Sequence, residues 1–296
     1  MELRMLIGAH RTGLEHLRTQ LEANADLLAH HGTILPQKVR AGNARQTLLK
    51  AVRKNNTTES TGKDFLHHLT EGRNPERVLI IDPEIAGSML RPHKNGIYYP
   101  RASATTFQML RELEGLCQVR LYFVTRNTAS LLPSCYGASL RHQPNVGYGE
   151  FTASSEPDDL RWSELLHRLQ GSEAEVPVTV WAYEDYPRMW RQVAQAFSGV
   201  PNKELFQDAG TTILNEFSLR GATLLFQYLQ DQPAKSGDWD KIETKFIERF
   251  PWTADTSLDD HWPKDLVAAL GDAYDDDNYY IDRMDNLVTI RPPVYL

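Results

Sequence analysis

Cysteine, long apolar runs and excess positive charge are all scarce in this sequence, and each shortage excludes a class of protein. Among the 296 residues only Cys117 and Cys135 are cysteines, which is too few for a disulfide framework or a CxxC metal pair. No apolar run approaches the ~20 residues of a membrane-spanning helix. The formal net charge of −7 argues against broad nucleic-acid binding, although it allows a local basic pocket for a small anion. We therefore expect no membrane span and no nucleic-acid partner.

The rest of the composition is that of an ordinary globular protein. Hydrophobic residues make up 41% and charged residues 24% of the chain, so disorder over the whole length is not expected. The N-terminal stretch MELRMLIGAH reaches a glycine and a histidine before a hydrophobic signal region could form. These features predict a reducing, cytoplasmic location, and a bacterial origin is compatible with them.

Short apolar runs alternate with stretches of helical periodicity along most of the chain. Strands are predicted at residues 4–8, 78–82, 119–125 and 177–182. Helices are predicted at residues 14–28, 105–116, 127–141, 162–169, 187–198, 215–230, 239–249 and 263–273. The polar segment 32–76, with a loop at 50–63, and the Pro/Gly/Ser-rich segment 142–158 show no clear period and are interpreted as loops or insertions.

This alternation predicts an α/β fold with a mostly parallel central sheet, helices on both faces and a helical C-terminal portion. The sequence shows no internal repeat and no clear linker, so residues 1–296 are interpreted as a single domain. Ligands of such sheets bind at the carboxyl ends of the strands. That rule brings together three segments that are distant in sequence, residues 10–15, 82–84 and 126–134.

The stretch GAHRTG, Gly8 to Gly13, matches the G-x-x-x-x-G half of a phosphate-binding loop. Glycines let backbone N–H groups turn inward, and the following helix adds its positive end. The usual Lys-[Ser/Thr] pair is replaced by Leu14-Glu15, which disfavours the common nucleoside-triphosphate loop. A tight strand-to-helix turn accounts for the six residues about as well.

Four stretches of the chain resemble, in the expected order, segments of the sulfotransferase family and of bacterial sulfotransferase-like proteins. They are LIGAHRTGLEHL with EANADLLAHHGTILP, TRNTASLLPSCY, VWAYEDYPRMW and, more weakly, IIDPEIAG. The resemblance implies a P-loop NTPase-like fold and the donor 3′-phosphoadenosine 5′-phosphosulfate. It also implies sulfuryl transfer, without a metal, to a hydroxyl or amine of a carbohydrate or other small acceptor.

The resemblance further implies which residues bind the donor. Arg126 and Ser134 would hold the 3′-phosphate, and Gly8, Thr12 and Gly13 would belong to the loop around the 5′-phosphosulfate. Arg11 stands in place of the family's loop lysine, where it keeps the charge with a different geometry. The more serious departure is the pair 14–15, where family members place hydroxyl residues. A carboxylate at position 15 would repel a phosphosulfate unless it points outward.

On the acceptor side, Glu84 is the candidate base and His10, which lies inside the loop, is the second choice. Glu84 could equally be a solvated carboxylate at a strand end. Segments 32–76 and 142–158 are expected to shape the acceptor site. The sequence itself identifies neither the acceptor nor the oligomeric state.

Two other hypotheses stay open. One is a non-catalytic nucleotide- or anion-binding protein on the same scaffold. The other is a Mg²⁺-dependent nucleotide enzyme that uses Glu184-Asp185, although a structural role such as capping the helix near Pro187 ranks higher. No metal site is predicted. The pairs His30-His31 and His67-His68 are interpreted as ordinary, Asp275-Asp276-Asp277 as a solvated acidic turn, and Lys235-Ser236-Gly237 before Asp238-Trp239 as weakly similar to a donor loop.

Overall fold

The computed structural model describes residues 1–171, 176–214, 216–232, 238–252 and 262–293. The strands are β1 (Glu2–Leu6), β2 (Thr33–Ile34), β3 (Arg77–Ile81), β4 (His93–Lys94), β5 (Ile97–Tyr98), β6 (Gln118–Thr125), β7 (Val178–Ala182) and β8 (Leu287–Thr289). The helices are α1 (Leu14–Ala23), α2 (Ala25–His30), α3 (Lys38–Arg53), α4 (Thr61–Thr70), α5 (Ala102–Leu113), α6 (Thr128–Ser139), α7 (Tyr148–Thr152), α8 (Trp162–Gln170), α9 (Tyr186–Ser198), α10 (Leu219–Asp231), α11 (Trp239–Arg249) and α12 (Lys264–Ile281).

Six of the described strands form one parallel sheet in the order β2-β3-β1-β6-β7-β8, and β4 pairs with β5 in a separate antiparallel hairpin. The central strands are in register, since Leu6 lies opposite Ile81 of β3 on one side and Tyr122 of β6 on the other. Because the strands are parallel and aligned, the segments that follow β1, β3 and β6 leave the sheet at the same edge. The predicted mostly parallel α/β sheet is confirmed.

Two apolar cores cover the two faces of this sheet. The residues that alternate along the central strands divide between them. Those on one face are Leu3, Met5, Val78, Ile80 and Phe123. Those on the other are Leu6, Leu79, Ile81, Tyr122 and Val124. Burial on both faces explains why these strands appear in the sequence as continuous apolar runs rather than as an alternating pattern.

The segment 32–76, interpreted from the sequence as loops or insertions, contains a strand and two helices. The predicted loop at 50–63 is confined to residues 54–60, because α3 continues to Arg53 and α4 begins at Thr61. On α3 the buried side chains are small or few, Ala41, Ala44, Leu48 and Leu49, amid many basic and polar residues. This dilution of the apolar face explains why the sequence shows no strong helical period there.

The C-terminal portion also differs from the prediction. Helix α12 extends to Ile281 and is followed by β8, a three-residue strand too short to give a sequence pattern. Asp275–Asp277 therefore lie within a helix, and their interpretation as a solvated acidic turn is wrong. Asp277 is buried and accepts hydrogen bonds from the N–H groups of Trp162 and Ser163, at 2.6 and 3.3 Å, at the start of α8. Within the described ranges, no helix combines the length and apolar character needed to cross a membrane.

Replacing Asp277 should destabilise the protein through α8 rather than through α12. In an Asp277→Ala variant two N–H groups at a buried helix start lose their acceptor, so we expect the free energy of unfolding to fall by roughly 1–3 kcal/mol. Chemical denaturation measures this loss. The matched control is Asp276→Ala, since Asp276 is the exposed neighbour on the same helix and should change stability by less than about 0.5 kcal/mol. Equal effects of the two changes would contradict the capping role.

Candidate functional site

Three segments meet at the carboxyl edge of the sheet, as the strand order requires. They are the loop 8–13 after β1, the turn 82–84 after β3, and Arg126 after β6. Strand β1 lies between β3 and β6, and this is where the connections turn to opposite sides, the position at which open α/β sheets bind ligands. The guanidinium Nη1 of Arg126 donates to the carbonyl oxygen of Arg11 at 2.5 Å, so the predicted meeting of Arg126 with the loop is observed.

The two glycines of the loop have different physical roles. A side chain at Gly8 would lie 2.9 Å from the ring of Phe123, so the position requires close approach of the backbone to the core. Gly13 has a φ of 77°, a left-handed conformation that favours glycine, and it leads directly into α1. Between them, the hydroxyl of Thr12 donates to the carbonyl of Ala9 at 2.7 Å and closes the turn.

The N–H groups of residues 11–14 meet no acceptor among the described residues. They lie at the start of α1, where the helix dipole adds positive potential, so this loop has the properties of an anion-binding turn. A cavity of about 380 Å³ opens over it. Its lining includes every residue from His10 to Glu15, together with Lys38, Gly42, Arg45, Asp82, Glu84 and Met89. The predicted loop residues Arg11, Thr12 and Gly13 therefore face a cavity of ligand size.

A carboxylate of the protein itself occupies the predicted 3′-phosphate position. Glu216 lies just before α10, and its Oε1 accepts from Nη2 of Arg126 at 3.0 Å while its Oε2 accepts from Nη2 of Arg11 at 2.9 Å. The hydroxyl of Ser134 also donates to Oε2, and Nε of Arg11 donates to that hydroxyl at 2.9 Å. We call the three side chains that bind this carboxylate, those of Arg11, Arg126 and Ser134, the carboxylate seat.

The side chains of Arg126 and Glu216 are buried, and each compensates the charge of the other. Arg126 is fully buried, and Glu216 is 7% exposed. Burial alone would raise the pKa of Glu216, but Arg126 and Arg11 hold that pKa below its ordinary value. Burial likewise opposes the charge on Arg126, while Glu216 raises its pKa. Both shifts keep the pair ionised, and removal of one partner would leave the other buried and uncompensated, at a cost of about 3–5 kcal/mol.

Each of the three guanidinium nitrogens of Arg126 donates to a group of the protein in this arrangement. Its Nε donates to the Ser130 hydroxyl at 3.0 Å, and its guanidinium lies 4.4 Å from the ring centre of Tyr183. Glu216 is also held through its backbone, because its carbonyl oxygen accepts from the N–H of Trp252 at 2.9 Å. Arg126 and Ser134 are thus brought together as the sequence predicts, but around an internal anion.

The pair Leu14-Glu15 does not block the loop. Leu14 is 6% exposed and belongs to the second apolar core, so it is a packing residue of α1. Glu15 points outward at the rim of the cavity, where its Oε1 lies 2.5 Å from Nζ of Lys38 and both side chains are mostly exposed. The conditional expectation of repulsion between Glu15 and a phosphosulfate therefore does not apply to this geometry.

The two candidate bases, His10 and Glu84, are hydrogen-bonded to each other, so they are not independent alternatives. The backbone N–H of His10 donates to Oη of Tyr99 at 3.2 Å, so the phenol hydrogen is available to Nδ1 of the same histidine at 3.1 Å. In the neutral ring the hydrogen then lies on Nε2, which is 3.2 Å from Oε1 of Glu84. This hydrogen bond holds the pKa of Glu84 below its ordinary value, against the opposing effect of burial.

The turn that carries Glu84 is held in place by Asp82. Its Oδ1 accepts from the N–H of Glu84 at 3.1 Å and caps the short 3₁₀ turn Pro83–Ile85, while its Oδ2 accepts from Nε of Arg45 at 2.7 Å. Arg45 lies on α3, so the segment 32–76 does line this cavity. The prediction that this segment shapes an acceptor site stays a prediction.

Sequence reasoning missed Glu216, Tyr99, Lys38 and Arg45. The predicted helix at 215–230 begins only at Leu219, with the hydroxyl of Ser218 accepting from the N–H of Gly221 at 3.2 Å. A serine before an apolar helical run is a capping signal, and it would have placed Glu216 on the preceding segment. Nothing in the sequence indicates that this segment returns to the end of β6.

The acidic pair after β7 has structural partners. Glu184 accepts from the N–H of Asn127 at 2.9 Å and from Oη of Tyr274 at 2.7 Å, and Asp185 pairs with Arg188 at 2.6 Å without capping α9. Among the described residues, no group of three His, Cys, Asp or Glu side chains is arranged to hold a metal ion. The stretch 235–237, weakly similar to a donor loop, lies outside the described residues.

Comparison with known proteins gives one structural similarity. The sequence matches no protein-family profile and no curated protein. The fold is similar to the crystal structure of a sulfotransferase from Alicyclobacillus acidocaldarius, with 13% sequence identity and a TM-score of 0.42, over 85% of this chain and 96% of that one. A similarity of this size bears no functional conclusion, so the site is interpreted from its own geometry.

The positions of Leu14 and Glu15 predict opposite consequences for two substitutions. Leu14→Ala empties a packed position and should lower the free energy of unfolding by about 2–5 kcal/mol. Glu15→Gln removes an exposed pair with Lys38 and should change stability by no more than about 1 kcal/mol. Denaturant titration of both variants measures these values, and a larger loss for Glu15→Gln than for Leu14→Ala would contradict the placement of the two side chains.

Proposed function

We propose that this protein binds 3′-phosphoadenosine 5′-phosphosulfate at the loop 8–13 and transfers its sulfuryl group to a hydroxyl of a carbohydrate or other small acceptor. The observation that carries the proposal is that an anion-binding turn and a hydrogen-bonded His10–Glu84 pair line the same cavity. Binding of an anion requires only the turn. Transfer to a hydroxyl also requires a proton acceptor beside it, and Glu84 occupies that position.

The geometry supports a direct displacement. The acceptor oxygen attacks sulfur and forms the new S–O bond, while its proton passes to the Oε2 carboxylate oxygen of Glu84. The S–O bond to the 5′-phosphate breaks, and its electron pair stays on the phosphate oxygen. The N–H groups of residues 11–14 and the start of α1 stabilise that charge. His10 holds the other carboxylate oxygen of Glu84, with Tyr99 fixing the ring, and the scheme uses no metal.

The donor's 3′-phosphate requires Glu216 to leave the carboxylate seat. A phosphate monoester carries about −1.5 to −2 charges at neutral pH and three acceptor oxygens, more than a carboxylate offers to Arg11, Arg126 and Ser134. The exchange therefore replaces one anion by a stronger one on the same donors. Its cost is the loss of the contacts that the Glu216 carboxylate makes with Arg11, Arg126 and Ser134.

A second function, that of a non-catalytic anion-binding protein, is favoured by the ion pairs around the loop. Each positive group around the loop already faces a carboxylate: Arg11 with Glu216, Lys38 with Glu15, Arg45 with Asp82, and His10 with Glu84. If Glu216 stays in place, the loop N–H groups remain for a ligand, and a simple phosphate or sulfate would suffice.

Calorimetric titration with adenosine 3′,5′-bisphosphate separates the two functions. If the 3′-phosphate takes the carboxylate seat, Glu216→Gln should tighten bisphosphate binding at least tenfold, about 1.4 kcal/mol, because the competing charge is gone. Binding of adenosine 5′-monophosphate, which lacks the 3′-phosphate, should change much less. In Glu216→Gln the amide oxygen still accepts from the arginines, and the uncompensated charge of Arg126 favours an incoming phosphate. Arg126→Ala would instead leave the Glu216 carboxylate uncompensated and remove a donor to the phosphate.

The matched control is Glu15→Gln, which removes a carboxylate from the rim of the same cavity without touching the seat. Its bisphosphate affinity should stay within about fivefold of the unaltered protein, as for a surface charge near a helix start. Equal tightening of bisphosphate and monophosphate by Glu216→Gln would place the 3′-phosphate elsewhere. Tight bisphosphate binding without sulfuryl transfer from the donor to any of a set of sugar hydroxyls would favour the binding protein.

A further inference from the structure

A second and larger cavity, of about 630 Å³, lies on the other side of the segment 84–91. One wall is the β4–β5 hairpin with the turn that follows it, and the opposite wall comes from residues 143–154, within the segment 142–158. The lining combines apolar side chains such as Phe151 and Val146 with several polar groups. This size and mixture suit a small organic ligand.

The positive charge of this cavity is not neutralised by the protein. Arg91, Lys94 and Arg101 line it, and no carboxylate in the described ranges lies within ion-pairing distance of any of the three. Glu150 is the acidic residue in the lining. Arg91, Lys94 and Arg101 are exposed to solvent, and they contrast with the cations around the loop 8–13, each of which has a carboxylate partner.

His93 supplies a second, independent indication of a ligand in this cavity. It is 2% exposed, and its Nε2 has no hydrogen-bond partner, whereas its Nδ1 lies 3.2 Å from the hydroxyl of Ser154. A buried polar atom without a partner costs free energy, so it requires an explanation. Burial lowers the pKa of His93 and so favours the neutral ring, and a polar group of a ligand in the cavity would provide the missing partner of Nε2.

One side chain, that of Tyr99, contacts residues of both cavities. Tyr99 lines the larger cavity, while its Oη contacts His10 at the loop. The candidate base Glu84 immediately precedes the segment whose residues Ala86 to Arg91 form the wall between them. A molecule bound in the larger cavity is therefore one side chain away from His10, and its hydroxyl would have to extend past Tyr99 to reach Glu84.

We propose that the larger cavity binds a hydroxyl compound that carries a carboxylate, phosphate or sulfate group, with Arg91, Lys94 and Arg101 around the charge and His93 as a buried polar contact. This inference deepens the proposed function, because it identifies the acceptor as an anionic compound. Only the role of the bound compound as acceptor rests on the proposed function. The binding site itself stands on the unpaired cations and the unpartnered ring nitrogen.

Ligand-observed NMR titration tests the site without the nucleotide donor. The probes are glucuronate, glucose 6-phosphate and glucose 6-sulfate, with uncharged glucose as the matched neutral compound. We expect at least one of the three anions to bind at least tenfold more tightly than glucose. The double variant Lys94→Gln plus Arg101→Gln should weaken that anion by about fivefold, the effect of two partly solvated charge contacts, and leave glucose unchanged.

Two further variants make the result specific. Lys241→Gln removes an exposed charge on α11, outside both cavities, and should leave the anion affinity unchanged. His93→Phe keeps a ring against Phe151 but removes the polar contact, and should weaken the anion at least threefold with a melting temperature no lower than that of the unaltered protein. Failure of all three anions to bind more tightly than glucose would overturn the proposal. So would equal losses of affinity in the Lys241→Gln and double variants.

The donor and acceptor hypotheses fail separately in this design. Each protein is also titrated with adenosine 3′,5′-bisphosphate. Anion binding that depends on the two cations, without bisphosphate binding that responds to Glu216→Gln, supports this site and removes the proposed donor. The reverse pattern supports the donor and removes this site.

Discussion

The interaction on which the site depends is the carboxylate of Glu216 between Arg11, Arg126 and Ser134. It joins three parts of the chain that are distant in sequence: the loop after β1, the end of β6 with the following helix α6, and the segment before α10. A fully buried arginine is tolerable only with a paired anion, so either this carboxylate or a substitute must occupy the position. A phosphate has the right charge and more acceptors, and the same donors therefore define both the internal structure and the proposed donor site.

The distribution of charge divides the carboxyl edge of the sheet into two regions. Around the loop 8–13, cations and carboxylates are matched one to one, which leaves backbone N–H groups as the available donors. In the neighbouring cavity, Arg91, Lys94 and Arg101 have no described partner, and His93 has an unused ring nitrogen. An anion entering from solvent meets unneutralised charge in the second region. Tyr99 connects the two regions, because it lines the second cavity and its Oη contacts His10.

The sequence predicts which segments meet at the site, but it does not predict that Glu216 occupies it. The apolar runs that end at Leu6, Ile81 and Thr125 predict buried parallel strands, and parallel strands bring the following residues to one edge, so the meeting of Arg126 with the loop could be predicted. Glu216 could not, because it reaches Arg126 across 90 residues of chain and no local pattern sets that path. The ion pairs of α3 could not be predicted either, because the apolar face of this helix is weak and the helix itself was not predicted.

The most direct test of this account is a crystal structure of the protein with adenosine 3′,5′-bisphosphate. The account predicts the 3′-phosphate on Arg11, Arg126 and Ser134, the 5′-phosphate against the N–H groups of residues 11–14, and the Glu216 carboxylate moved out of the seat. A complex in which Glu216 still bridges Arg11 and Arg126, with both phosphates bound elsewhere, would contradict it.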